Sequence, residues 1–502
     1  WAPHAEKVSV VGEFNDWSEE ANPLESEGNG HWAGFVPAAR AGQEYRFALT
    51  NGEQSLSRID PYAMQVTNSV GNGIIHDHSA FDWQGDEFTT PSISDLVVYE
   101  MHVGTFAADG QRVGTLEDVT AGLEHLMKLG VNCIELMPVM EFAGDYSWGY
   151  NPAHIFAVES SYGGPDALKM LVREAHKHGI SVLVDVVYNH FGPSDLDLWQ
   201  FDGWSEHDKG GISFYNDWRS SPPWGDTRPD YGRPEVRQFI RDNALMWMRE
   251  YHVQGLRWDM TPYMRSVEAN GDTNIPEGWS LCRWVNDEVR AQYPDAILIA
   301  EDLHGNHDVT SRGPEGAAFG SQWDTHFVHP VRAAITAGND QDRDIFAVRE
   351  AITYSYGDAF ARTIYTESHD EVANGKARVV EEINPDDNTT WFAKKRSTLG
   401  AAMVLTSPGL PMLFQGQEFL EGDWFRDDVP LDWNLRDEFH GIVRLYRDLI
   451  WLRLNREGNS RGLMGQGTQV LHAHPDNKIL AWHRWWDGGP GDDTLSLIHI
   501  SE

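Results

Sequence analysis

The sequence predicts an α/β protein built on a (β/α)8 TIM barrel, with an N-terminal β-sandwich module before it and a partial C-terminal β domain after it. Three observations carry that prediction. After Pro91, short β-rich runs alternate with amphipathic helical stretches, the pattern of a parallel sheet with helical crossovers. These runs number eight, which is how many close such a barrel. Ahead of Pro91 the text is strand-like and turn-rich, without a helical period. The expected units are residues 1–88, 89–457 and 458–502.

Within the first unit, Lys7 to Gly12 alternates in polarity, Asn15-Asp16 and Gly28-Asn29-Gly30 mark turns, and Tyr45 to Leu49 resumes an extended pattern. Trp17 and Trp32 are expected in its core, with stacking on a sugar as the alternative.

Barrel strands are expected at Leu96 to Val103, Cys133 to Val139, Ser181 to Tyr188, Gly255 to Met260, Ala296 to Asp302, Gln322 to Val328, Arg362 to Ser368 and Pro411 to Gln415. Helical spacing runs over Leu116 to Leu129, Pro165 to His178, Pro234 to Tyr251 and Trp279 to Tyr293, with a closing helix at Glu438 to Arg456. Phe191 to Arg233, rich in Gly, Pro, Trp and Asp, is long for a strand-to-helix loop and predicts an excursion above the barrel rim. Val470 to Trp486 supplies two or three strands, too few for an independent sheet with a buried face. The chain reads as a fragment at both ends, and Leu495 to Glu502 as foreign to the natural fold.

Composition narrows the function. With 39 Lys and Arg against 77 Asp and Glu, the net charge of −38 repels phosphate backbones and anionic membranes, so neither nucleic acid nor membrane is an expected partner. No stretch approaches the roughly 20 apolar residues that cross a bilayer. No leader is visible, so a cytoplasmic location is expected, although the abrupt start at Trp1 leaves room for a lost one. Cys133 and Cys282 are the only cysteines, and no disulfide framework follows from them. The 21 Trp suit the flat apolar faces of sugar rings.

In a barrel of this kind chemistry sits where the strands end. The third run ends Asp185-Val-Val-Tyr-Asn189-His190, the fourth Arg257-Trp-Asp259, the fifth Ala300-Glu301-Asp302, the seventh Glu367-Ser-His369-Asp370 and the eighth Gln415-Gly-Gln417-Glu418. Arg257 and Asp259 are two apart, so a strand projects both to one face, where the cation would keep the carboxylate ionised. Neighbouring strands lie about 4.8 Å apart. That spacing would set Asp259 and Glu301 near the roughly 5 to 5.5 Å separation of a retaining glycosidase pair. Glu301, facing other carboxylates, is expected to titrate high and hold a proton.

The endings of the third, fourth, fifth and seventh runs resemble, in order, the four signature regions of the α-amylase superfamily, glycoside hydrolase family 13. The resemblance implies that Asp259 is the nucleophile, Glu301 the general acid/base and Asp370 the carboxylate that stabilises the transition state. It implies that Asp185, His190, Arg257 and His369 hold the sugar, with Tyr150 of Trp148-Gly-Tyr150-Asn-Pro stacking on it. The stretch Val8-Ser-Val-Val-Gly-Glu-Phe-Asn-Asp-Trp17 resembles the glycogen-binding, early-set module of branching and debranching enzymes. His369-Asp370-Glu371-Val372-Ala-Asn-Gly375-Lys376 resembles the fourth region of glycogen branching enzymes, which transfer an α-1,4-glucan chain to a 6-hydroxyl. Tyr99-Glu-Met-His102-Val-Gly-Thr-Phe106, Ile134-Glu-Leu-Met-Pro138 and Asp185 to Pro193 are closer to maltooligosyltrehalose trehalohydrolase, and the Asn189-His190 ending occurs in α-amylases.

Branching of an α-glucan is therefore the expected activity, with hydrolysis of the α-amylase or trehalohydrolase type as the alternative. A non-catalytic glucan-binding protein would lack one of Asp259, Glu301 and Asp370, and all three are present. No cofactor is expected. Many amylases use the asparagine at the place of Asn189 for structural calcium, but one amide oxygen falls short of the about six to eight oxygens calcium takes, so no metal is expected. Oligomeric state is not legible.

Overall fold

The computed structural model describes residues 1–192, 195–270, 273–488 and 492–500. Pro193 of the third-strand motif and residues 501–502 lie outside the described residues.

Eight parallel strands close a barrel in chain order: Val98–Met101, Cys133–Leu136, Ser181–Val186, Gly255–Trp258, Ile297–Ala300, Ser321–Trp323, Arg362–Ile364 and Leu410–Phe414, the last pairing with the first. They are numbered below as first to eighth. Each has helices outside and packed side chains inside, which is why it reads as a continuous apolar run rather than an alternation. Most expected strands overshoot at their C-terminal ends, because the apolar text continues past the last ladder bond into the loops of that face. Gly255 opens the fourth strand where a Cβ would meet the Ile297 carbonyl oxygen at 1.9 Å.

The sixth expected strand is corrected most. Asp324 accepts from the His326 backbone N–H at 3.0 Å and caps a helix, Thr325–Thr336, so the apolar residues to Val328 belong to that helix. Two further helices, Ile345–Thr353 and Trp391–Thr406, carried no sequence signal that was read. The second of them is buried on nearly every side over Ser397 to Thr406, which erases the one-sided stripe that marks a helix. Leu116–Leu129 and Pro234–Tyr251 match their expected bounds, and Gly164–Lys177, Pro276–Gln292 and His440–Arg453 lie within a few residues of theirs.

Ahead of the barrel, five strands between Lys7 and Ile74 form an antiparallel sheet, with a separate pair at Glu25–Gly28 and His31–Ala33. Trp32 packs partly buried against Ala2 and Val8, with its indole N–H donating to the Ala2 carbonyl at 3.0 Å. Trp17 is 39% exposed instead of buried. The turn after Glu13–Asn15 holds Asp16 and Trp17 at φ of 51° and 59°, and this carries the ring outward.

The 191–233 excursion joins this sheet to the barrel. Arg46 pairs with Asp197 at 2.7 Å, His4 with Asp202 at 2.9 Å, and Phe201 and Ile212 pack with Ala2, Val8 and Leu49. Beyond the barrel, Gly467–His474, Ile479–Trp485 and Asp493–His499 form a three-stranded antiparallel sheet. Its buried face is completed by barrel helices rather than by a second sheet: Leu480, Trp482, Ile498 and Ile500 cluster with Phe327, Ile335, Val348 and Met403. Residues 495–500 are therefore paired and partly buried, which corrects the expectation that the segment lies outside the fold, although Leu495 and Leu497 stay on the exposed face.

Candidate active site

Four strand ends and one hairpin build the site. The Trp258↔Ala300 register places Asp259 and Glu301 at the same level, and backbone bonds lock it: Asp259 N–H to Val186 carbonyl and Glu301 N–H to Trp258 carbonyl, both at 3.0 Å. The hairpin Met140–Phe142 with Pro152–Val158 carries Trp148 and Tyr150 over the barrel mouth on its connecting segment.

Arg257 is the hub. Its guanidinium is fully buried and lies over the Trp323 ring at 4.2 Å. Nη1 donates to Asp185 Oδ2 at 2.6 Å and to Asp259 Oδ1 at 3.2 Å, while Nη2 donates to Glu301 Oε2 at 2.7 Å. One cation thus spans three carboxyls and holds Asp259 and Glu301 within a single guanidinium of each other. Asp259 Oδ2 accepts from the Asn189 amide at 2.6 Å, so both of its oxygens are fixed. Glu301 Oε2 also accepts from the Met260 N–H at 3.0 Å, whereas Oε1 has no hydrogen-bond partner among the described residues.

Asp370 sits at the mouth, its side chain 43% exposed and 3.7 Å from His369 Nε2. Tyr150 donates its hydroxyl to Asp185 at 2.6 Å and stacks on His369 at 5.0 Å between centroids. His190 lies beside Asn189, 2.6 Å from its amide oxygen, and Trp224 of the excursion stacks on it at 4.6 Å. All eight residues expected at the site from the sequence therefore meet in one cleft.

Titration separates the two central acids. Burial, joined by the charges of Asp259 and Asp370 and partly offset by Arg257, raises Glu301 to about 8. Burial also raises Asp259, to about 6, with Arg257 and the Asn189 bond holding it lower than Glu301. Arg257 does favour the ionised form of Asp259, as expected, but the cation is shared three ways and burial outweighs its pull. Asp185 rises to about 6 for the same reason. Glu301 therefore holds its proton to higher pH than Asp259, with Oε1 as the oxygen left to carry it.

Other expected rim residues turn out to brace the fold. Asp302 pairs with Arg265 at 2.8 Å, and Glu418 accepts from Tyr99 and lies 2.8 Å from His125. Asn189 has its amide engaged at both ends, by Asp259 and by His190. Among the described residues no group of three or more His, Cys, Asp or Glu is placed to hold a metal ion. Both cysteines are free and buried, and among the described residues no helix is long and apolar enough to cross a membrane. Sequence reading missed Glu100, which grips His369, and Trp323 and Trp224, which pack on Arg257 and His190. Only Glu100 carried a usable signal, since a glutamate inside an apolar barrel strand needs a partner.

Residues 100–223 and 225–441 match the family described as "Alpha amylase, catalytic domain". The chain belongs to the α-amylase family. Residues 1–63 match "Carbohydrate-binding module 48 (Isoamylase N-terminal domain)". The chain is 32% identical over 472 residues to a 1,4-alpha-glucan branching enzyme GlgB of Bacillus cereus, covering 90% of this chain and 71% of that one. It is 31% identical over 528 residues to that of Salinibacter ruber, covering 99% and 82%. Against that of Pseudoalteromonas atlantica, 31% identical, it covers 89% of itself but spans only 64% of the relative's length. Pullulanase type I of Bacillus subtilis shares the α-amylase fold with a TM-score of 0.80 at 23% identity, covering 100% of this chain and 76% of that one.

Proposed function

We propose that the chain is a retaining α-glucan-active enzyme and that its reaction is 1,4-α-glucan branching. The observation that carries the retaining reading is the pair of carboxyls on one guanidinium, Asp259 with both oxygens fixed and Glu301 with one oxygen free, titrating on opposite sides of neutrality. In this reading Asp259 attacks the anomeric carbon while Glu301 Oε1 gives its proton to the leaving glycosidic oxygen. Asp370 faces the positive charge that develops on the sugar. Tyr150, Asp185, His190, Arg257 and His369 hold the ring. Glu301, now ionised, takes a proton from the incoming hydroxyl in the second step, and Asp259 leaves.

The acceptor decides the activity. A glucan 6-hydroxyl gives an α-1,6 branch, and water gives hydrolysis. Branching is supported by relatives that carry the name 1,4-alpha-glucan branching enzyme and by the His369-to-Lys376 segment. We read residues 1–88 as a glucan-binding module, 89–457 as the catalytic barrel and 458–502 as an appended β domain. Incubation with amylose tests the proposal when α-1,6 linkages by proton NMR and new reducing ends are followed together. New branches with few net reducing ends are expected. Reducing ends without branches would make the enzyme a hydrolase.

A further inference from the structure

Two glutamates stand side by side in the barrel floor. Glu100 on the first strand and Glu135 on the second are paired in register, and each is 1% exposed. Glu100 grips His369 twice: Oε1 lies 2.5 Å from ring Nδ1, and Oε2 accepts from the His369 backbone N–H at 3.1 Å. Nδ1 is thereby engaged, and Nε2 is the ring nitrogen left to face the cleft beside Asp370. Tyr150, Trp148 and Trp323 hold the ring from its sides, at 5.0, 5.7 and 5.8 Å between centroids.

The titratable groups that face His369 come from every surrounding element: Glu100, His102, Glu135, Asp185, Arg257 and its own neighbour Asp370, of which Asp370 and Glu100 favour its charge and Arg257 opposes it. Burial alone would strip its proton, but the charges of Asp370 and Glu100 and the bond to Glu100 outweigh burial and raise His369 to about 9. Burial, joined by the charge of Glu100, pushes Glu135 well up, and burial takes His102 down to about 4.

We propose that Glu100 is a positioning residue for glycosyl transfer: by holding the ring and backbone of His369 at once, it keeps the imidazole a cation and presents Nε2–H to the glucosyl unit next to Asp370. This rests on the reading of Asp259, Glu301 and Asp370 as the reacting groups. The charge matters because a neutral ring donating Nδ1–H to Glu100 would offer the sugar an acceptor at Nε2 instead of a charge-assisted donor.

The test compares Glu100→Gln and Glu100→Asp with the wild-type chain on amylose. Glu100→Gln is expected to lower kcat on the order of a hundredfold, as misplaced groups do, with little change in KM. In this variant the His369 ring, followed by histidine-ring NMR, should lose its proton about one pH unit or more lower than in the wild-type chain. Glu100→Asp should restore part of both. An unchanged His369 titration in a folded Glu100→Gln chain would overturn the proposal. Histidine-ring NMR of the wild-type chain at pH 7.5, assigned against His369→Gln, gives a second readout that needs neither Glu100 variant nor turnover. A doubly protonated ring supports the proposal and a neutral one overturns it. A chain inactive on every glucan would sink the functional reading and leave this readout standing.

Discussion

Arg257 holds Glu301 by one oxygen only: Nη2 donates to Oε2 at 2.7 Å, and Oε1 has no hydrogen-bond partner among the described residues. A salt bridge to both oxygens would have fixed the carboxylate as an anion. Held by one, it keeps an oxygen open for the proton that the proposed mechanism asks it to carry, while the same guanidinium binds the neighbouring Asp259.

Asp259→Asn should abolish turnover, by about three orders of magnitude or more, with the circular dichroism unchanged. Glu301→Gln should cost most on substrates with poor leaving groups and least on activated aryl glucosides. Equal losses on both substrate types would remove Glu301 from the acid role.

Activity should follow a bell in pH. Asp259 must be ionised, which fails below about 6, and Glu301 must be protonated, which fails above about 8, so kcat/KM should peak near neutrality. The two limbs belong to the coupled pair rather than to either acid alone. Glu301→Gln should flatten the alkaline limb, and a limb that stays in that variant would have to come from another group.

Stability should run the opposite way from most carboxylates. Glu301 titrates at about 8 folded against an ordinary 4.5, so the folded chain binds the extra proton. Its contribution is complete below the unfolded value and is lost as pH rises through the folded one. The apparent Tm of Glu301→Gln relative to wild type should therefore increase between pH 5 and pH 9. A difference that does not change with pH would mean that burial leaves Glu301 unstrained.

Trp482 tests the C-terminal sheet. It is fully buried against the barrel helices, and its indole N–H donates to the Thr406 carbonyl at 3.2 Å. Trp482→Ala should cost about 3 to 5 kcal/mol in denaturant unfolding. A loss below about 1 kcal/mol would mean that the sheet does not brace the barrel.

The barrel was legible because parallel strands buried on both faces leave unbroken apolar runs, and acidic and polar residues collect directly after those runs. Asp259, Glu301 and Asp370 stood out for that reason, and the resemblance to the α-amylase superfamily supplied the roles proposed for them. What was lost lies where tertiary packing overrides local pattern. The Trp391–Thr406 helix is buried on nearly every side from Ser397 on and so shows no one-sided apolar stripe, and Val328 reads equally well in strand or helix. The sharing of Arg257 among three carboxyls was beyond reach, since only the fold brings Asp185 and Glu301 to the cation that Asp259 seemed to own. Trp224 reaches His190 from an excursion without regular periodicity, so no spacing rule could place it.

The most direct measurement traps the covalent intermediate. A 5-fluoro glucosyl fluoride is added to the chain, which is then digested, and the labelled peptide is located by mass spectrometry. The account predicts a single glycosyl ester on Asp259, absent from Asp259→Asn and slow to form in Glu301→Gln only where the leaving group needs a proton. A label on another carboxylate would contradict it.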